Sequence, residues 1–151
     1  MTAVAPQTRP MLTCRREFVI EWGDCDPSGI VFNPRYFVWF DASLHALLGK
    51  AGFNIRQLMT GMGIDGIPLV DMKAKFLAPC RYGDAVVMET SVVGLHRAAF
   101  DLHHRLLNGG QRAVEAFETR VWTVFDAEQR RIRAASLPPA VASRLAGEGE
   151  V

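Results

Sequence analysis

The chain has 151 residues, 49% of them hydrophobic and 22% charged, the balance of one ordinary globular domain. Its 17 basic and 16 acidic side chains leave a formal charge of +1, which argues against a dedicated nucleic-acid binder. No apolar run approaches the roughly 18 residues of a membrane span, so no membrane partner is expected. Cys14, Cys25 and Cys80 are far apart and form no C-x-x-C pair. They read as reduced thiols of a cytoplasmic protein.

Residues 1–13 carry Pro6 and Pro10 among small polar residues and are expected to be a flexible arm ahead of a single domain over 14–146. Phe18, Ile20 and Trp22 alternate with Glu17, Val19 and Glu21, the period of a strand. A loop rich in Gly, Asp and Pro follows, from Gly23 to Asn33. Asn33-Pro34 then signals a helix start: Asn is a capping residue, and Pro at the first helical position gives up an N–H that has no partner there. Phe37, Phe40, Leu44, Leu47, Leu48 and Ala51 recur at helical spacing, and Gly52 is the expected left-handed stop.

A short helix is expected near Ile55–Thr60, then four strands over roughly 67–76, 85–96, 98–107 and 112–125. Val86, Met88, Thr90 and Val92 alternate with Val87, Glu89, Ser91 and Val93. Asn108-Gly109-Gly110 is a hairpin turn. Pro138-Pro139 opens a last short helix, and residues 147–151 read as a frayed tail. Tight turns impose antiparallel pairing. The expected fold is therefore α+β, a five-stranded antiparallel sheet wrapped around one long central helix, the hotdog arrangement. Such a sheet leaves a face half covered, so a homo-oligomer is expected, either a dimer or a dimer of dimers.

Several motifs have bland readings that prevail. Gly61-Met62-Gly63-Ile64-Asp65-Gly66 spells G-x-G-x-x-G, yet it follows a helix and opens a strand, the reverse of a dinucleotide fingerprint, and reads as a connector. There is no G-x-S-x-G elbow and no H-E-x-x-H. His103 and His104 are neighbours in a strand, point to opposite faces and make a poor metal pair, so no metal is expected. Asp24 and Asp26 could simply shape a turn. They also stand a few residues before a helix N-terminus, where a carboxylate and free amides together suit acyl transfer.

Gly23-Asp24-Cys25-Asp26-Pro27-Ser28-Gly29-Ile30-Val31, with Asn33-Pro34-Arg35-Tyr36 and Trp39-Phe40-Asp41-Ala42, closely resembles the 4-hydroxybenzoyl-CoA thioesterase family of hotdog proteins, the branch related to YbgC-like acyl-CoA thioesterases. The likeness continues more weakly through Gly66-Ile67-Pro68-Leu69-Val70, Tyr82-Gly83-Asp84 and Arg131-Ile132-Arg133-Ala134. It implies that Asp26 is the catalytic carboxylate, attacking the thioester carbonyl or activating a water, and that Asp24 shapes the loop. It implies that the backbone N–H of Asn33 is the oxyanion donor. His96, Arg97 and Arg133 align with the residues that meet CoA phosphates, although Ala98 and Ala99 stand where relatives carry Lys and Ser.

The implied activity is hydrolysis of an aryl-CoA thioester, of benzoyl or 4-hydroxybenzoyl type, with CoA as part of the substrate and no separate cofactor. A thioesterase for short or branched aliphatic acyl groups is the alternative, since Asn33 and Asp71 replace an aromatic and a small polar residue of some relatives. A non-catalytic acyl-CoA-binding hotdog protein is the reading from another class. A hotdog dehydratase would need an Asp/His motif that the chain lacks.

Overall fold

The computed structural model describes residues 11–149. Five strands form one sheet: β1 (Thr13–Val19), β2 (Leu69–Phe76), β3 (Ala85–Leu95), β4 (Ala99–Asn108) and β5 (Gln111–Val121). Their spatial order is β1-β3-β4-β5-β2, with every neighbouring pair antiparallel. Between β1 and β2 lie α1 (Pro34–Lys50) and α2 (Ile55–Gly61). A second, two-stranded sheet of β6 (Thr123–Asp126) and β7 (Arg131–Ala134) follows β5, and α3 (Pro139–Leu145) is the last element.

The period-2 pattern decides which side chains face α1. Val86, Met88 and Val92 of β3 are buried, as are Phe100, Leu102 and Leu106 of β4 and Val114 and Ala116 of β5. Against them α1 sets Tyr36, Trp39, Phe40, Leu44, Leu47 and Leu48, all buried. Burying one such side chain contributes about 1.5–3 kcal/mol, so this face holds helix and sheet together. One cluster surrounds Phe40, Val86, Met88 and Leu106, and a second surrounds Leu44, Leu48, Phe100 and Trp122.

The end of α1 follows its sequence signal. Gly52 takes φ +93°, Gly52 N–H donates to Gly49 O at 3.0 Å, and Phe53 N–H donates to Leu48 O at 2.8 Å. That pair is a Schellman stop, and Phe53 packs onto the core beside it. At the β4–β5 hairpin the positive φ falls on Gly109 (59°) and Gly110 (79°), with Asn108 paired to Gln111 across them.

Several elements differ from expectation. The first strand ends at Val19, and Trp22 enters a 3-10 turn (Trp22–Asp24) with 72% of its surface exposed. The last expected strand breaks at the buried Trp122, and β6 turns away to pair with β7. Of the arm expected over 1–13, residues 1–10 lie outside the described residues. Leu12 is buried, with its N–H bonded to Leu145 O, and Thr13 opens β1. Of the expected tail, Glu148 is bonded to Ser143, while 150–151 lie outside the described residues.

Candidate active site

The loop between β1 and α1 is built on its two aspartates, which do different work. Asp24 is buried: its Oδ2 accepts from Glu21 N–H at 2.9 Å, and its Oδ1 accepts from Arg35 Nε at 2.9 Å and lies 2.8 Å from Nη2. Its backbone O also accepts from Phe32 N–H at 2.9 Å. Asp24 therefore ties both ends of the loop to the first turn of α1.

Asp26 is half-buried, two residues on. Its Oδ1 accepts from Ser28 N–H at 2.9 Å and from Ser28 Oγ, an Asx-turn that fixes the carboxylate. Gly29 N–H donates to Asp26 O at 2.9 Å, and Gly29 takes φ +82°, a conformation that other residues adopt only at a cost. No donor meets Oδ2 among the described residues. That oxygen is free for a substrate or a water.

The loop folds back beside the helix start. Asp26 N–H donates to Ile30 O, Cys25 bridges Val31, and Val31 N–H donates to Cys80 O at 2.9 Å. Ile30 and Val31 then line a cleft of about 180 Å³ with Asn33, Tyr36, Phe76, Leu77, Ala78 and Pro79. Asn33 does not cap α1 with its side chain, contrary to its sequence signal. Its backbone is already helical, at φ −47° and ψ −43°, so the side chain cannot reach the amides ahead. Its own N–H donates to no acceptor among the described residues, and Pro34 has no N–H to offer. The first free amide of α1 is Asn33.

Tyr36 and Cys80, beside the cleft, are quenched as nucleophiles. Burial pushes the Tyr36 hydroxyl far above its ordinary range, helped by Cys80 beside it. Burial likewise raises the Cys80 thiol, against the pull of hydrogen bonds with Tyr36 and Asn108. Both stay protonated at neutral pH. Among the described residues no group of three or more His, Cys, Asp or Glu side chains is placed to hold a metal. No helix among them is long and apolar enough to cross a membrane.

The expected CoA-binding residues lie elsewhere. His96 and Arg97 form the β3–β4 turn, where His96 Nε2 is 2.7 Å from Asp101 Oδ2 and Arg97 Nη1 donates to Ser136 Oγ at 2.9 Å. Arg133 sits on β7, 3.7 Å from Asp126. The Asp26 loop joins the segment before β3 through the Ile30–Arg81 bridge, whereas His96 follows the last residue of β3. Eleven residues of strand at ~3.3 Å each separate the two ends by roughly 30 Å. Within one protomer Asp26 and Asn33 lie on one loop, at the end of β3 opposite to His96 and Arg97.

A buried polar chain crosses the core. Thr90 Oγ1 is 2.7 Å from His104 Nδ1, His104 Nε2 is 3.1 Å from Glu118 Oε1, and Arg120 Nη2 is 3.3 Å from Glu118 Oε2. Arg120 Nη1 then reaches Asp41 Oδ1 on α1 at 3.1 Å. Phe40 stacks on the His104 ring at 4.9 Å. Burial pushes the Glu118 carboxyl up, but His104 and Arg120 outweigh it and hold it below the usual range. Thr90, His104, Glu118 and Arg120 all occupy inward positions of the strand alternation, a signal that was present in the sequence.

A five-stranded antiparallel sheet carrying one long helix, with a carboxylate loop at that helix's first free amide, defines a hotdog thioesterase. The thioesterase-like superfamily profile matches residues 20–145. The chain belongs to this superfamily, within the 4-hydroxybenzoyl-CoA thioesterase family, and is an acyl-CoA thioester hydrolase. It is 38% identical to the 4-hydroxybenzoyl-CoA thioesterase of Pseudomonas sp. strain CBS-3 over 125 residues, 79% of this chain and 87% of that one. Among solved structures it matches an aspartate-to-asparagine mutant of 4-hydroxybenzoyl CoA thioesterase complexed with 4-hydroxybenzoyl CoA. The TM-score is 0.82 and the identity 32%, covering 89% of this chain and 99% of that one. A gentisyl-coenzyme A thioesterase matches with a TM-score of 0.76 and 31% identity, covering 85% of this chain and 98% of that one.

Proposed function

We propose that this enzyme hydrolyses an aryl-CoA thioester to the free aromatic acid and CoA, with Asp26 as the catalytic carboxylate and the Asn33 N–H as oxyanion donor. One observation carries the reading: Asp26 has one oxygen pinned by Ser28 and the other free, on a loop tied to the first free amide of α1. As the carboxylate, or a water it deprotonates, adds to the carbonyl carbon, negative charge grows on the carbonyl oxygen. An amide that needs no reorganisation stabilises that charge by about 3–4 kcal/mol. The C–S bond then breaks, CoA leaves as thiol or thiolate, and water supplies the second oxygen of the acid, through hydrolysis of an acyl-Asp26 anhydride if Asp26 itself attacked. Water is the only co-reactant this chemistry requires.

The cleft beside Asn33 favours an aromatic acyl group. Tyr36 and Phe76 line it with ring centroids 5.4 Å apart, beside Ile30, Val31 and Leu77. Aromatic rings prefer tilted contacts of this kind. The relatives named for hydroxybenzoyl and gentisyl thioesters support the same class. The test is turnover, by thiol release, across benzoyl-, 4-hydroxybenzoyl-, acetyl- and isobutyryl-CoA. Aryl esters should lead in kcat/KM, and a lead for the aliphatic esters would overturn the reading.

His96, Arg97 and Arg133 are proposed to meet the phosphates of CoA. Because the length of β3, roughly 30 Å, separates His96 and Arg97 from the end where the Asp26 loop sits, the phosphates of a thioester at Asp26 would meet those of another copy. The working enzyme is therefore a homo-oligomer, and its free cysteines suit the reducing cytoplasm. Mixed oligomers of Asp26→Asn and Arg97→Ala/Arg133→Ala protomers test this. They should recover activity that neither parent has, and failure to recover any would contradict the shared site.

A further inference from the structure

The β3–β4 turn contains an arrangement that the reaction chemistry does not explain. Asp101 has both oxygens occupied: Oδ1 accepts from Thr119 Oγ1 at 2.7 Å and Oδ2 lies 2.7 Å from His96 Nε2. Its carboxylate fits only because residue 94 is glycine. A Cβ there would lie 2.5 Å from Asp101 Oδ2 and 3.3 Å from its Cγ. Gly94 shows no positive φ, so room is the reason for glycine at this position. The register of β3 shifts between Val92 and Gly94, which sets Gly94 opposite Asp101. Glycine inside a strand weakens it, so the chain accepts that cost where it admits this carboxylate.

The geometry fixes the roles of the imidazole. A carboxylate only accepts, so Nε2 must carry the hydrogen and donate to Asp101. Nδ1 is then the outward atom, without a partner among the described residues, and it donates to an anion as the second N–H of the imidazolium. His96 and Asp101 hold each other as an oriented pair, and His96 and Thr119 draw Asp101 below the usual carboxylate range even though its burial acts the other way. Arg97, next in the chain, is held separately by Ser136. Asp71 is the other outward charged residue lining the groove that Asp101 and Thr119 form with Val93 and Phe117, while the Glu118 side chain points inward to His104 and Arg120.

We infer that Asp101, steadied by Thr119 and admitted by Gly94, is a positioning residue that presents the imidazole of His96 to an anionic group on the nucleotide end of the thioester substrate. This rests on the proposed meeting of His96 with CoA. Where a guanidinium would bring its own planar array of donors, a histidine has one outward nitrogen and needs its ring fixed. Asp101 fixes it, and itself touches no substrate.

The experiment compares KM for an aryl-CoA with KM for the same acyl group on pantetheine, which lacks the nucleotide. Asp101→Asn should raise the ratio of the two KM values roughly fivefold to tenfold, the size of one ordinary hydrogen bond. His96→Ala should raise it comparably, and the double variant no further. An unchanged ratio in His96→Ala would overturn the CoA reading of His96 and this inference with it. A raised ratio in His96→Ala but not in Asp101→Asn would overturn this inference alone. A structural role for Asp101 would move both substrates together and leave the ratio flat. If Asp101→Asn fails to fold, Thr119→Val removes only the Oδ1 support and must still raise the ratio.

Discussion

Arg35, in the first turn of α1, closes on the buried Asp24 with both Nε (2.9 Å) and Nη2 (2.8 Å) on a single carboxylate oxygen. The guanidinium thereby locks the Asp26 loop to the helix whose first free amide, Asn33 N–H, belongs to a residue lining the cleft. In the proposed mechanism the pair acts on geometry, by holding the Asp26 loop against the start of α1.

Arg35→Ala should accordingly lower kcat more than it raises KM. A displacement of about 1 Å between reacting groups costs on the order of a hundredfold, and some of that loss should appear. Steady-state kinetics beside circular dichroism check it: folded protein with kcat reduced about tenfold to a hundredfold supports the account. Unchanged kcat would show the loop to be held by other means.

The oxyanion assignment separates main chain from side chain. Asn33→Ala keeps the amide, whereas Asn33→Pro deletes it at a residue whose φ of −47° proline can approach. Loss of one oxyanion donor typically costs about a hundredfold to a thousandfold in kcat. Pre-steady-state turnover of the two variants should therefore differ by about that factor, the proline variant being slower. Equal rates would remove Asn33 N–H from the mechanism.

The buried chain from Thr90 to Asp41 makes a pH-dependent contribution to stability. Glu118 is held below the usual carboxylate range by His104 and Arg120 against its burial, so it binds protons more readily unfolded than folded. Its contribution is complete above the unfolded value, near pH 4.3, and is lost as pH falls through the lower folded value. Glu118→Gln should cost about 3 kcal/mol at neutral pH, the lower end for breaking a buried charge pair. Urea unfolding should show that gap narrowing toward about pH 3. A gap constant across pH would mean that Glu118 stabilises by packing alone.

Local signals were legible where one residue decides one conformation. Pro34 marked the start of α1 and Gly52 its left-handed stop, while Gly109 and Gly110 marked the hairpin. Strand alternation in β3 named its buried face, because neighbouring side chains must point opposite ways. Long-range facts were hidden. The Arg120–Asp41 contact depends on where α1 crosses the sheet, and β6 parts from β5 at Trp122 to pair with β7. Asn33 resembled a cap, yet its helical backbone removed that role. Asp26 and His96 aligned to one family site, but strand length places them at opposite ends of the protomer.

The most direct test is Asp26→Asn, an isosteric change that keeps the Ser28 turn possible and removes the charge. With 4-hydroxybenzoyl-CoA and thiol release as the readout, the account predicts a loss of about a thousandfold or more in kcat with the melting temperature preserved. A folded variant that keeps most of its turnover would contradict the assignment of the reaction to this carboxylate.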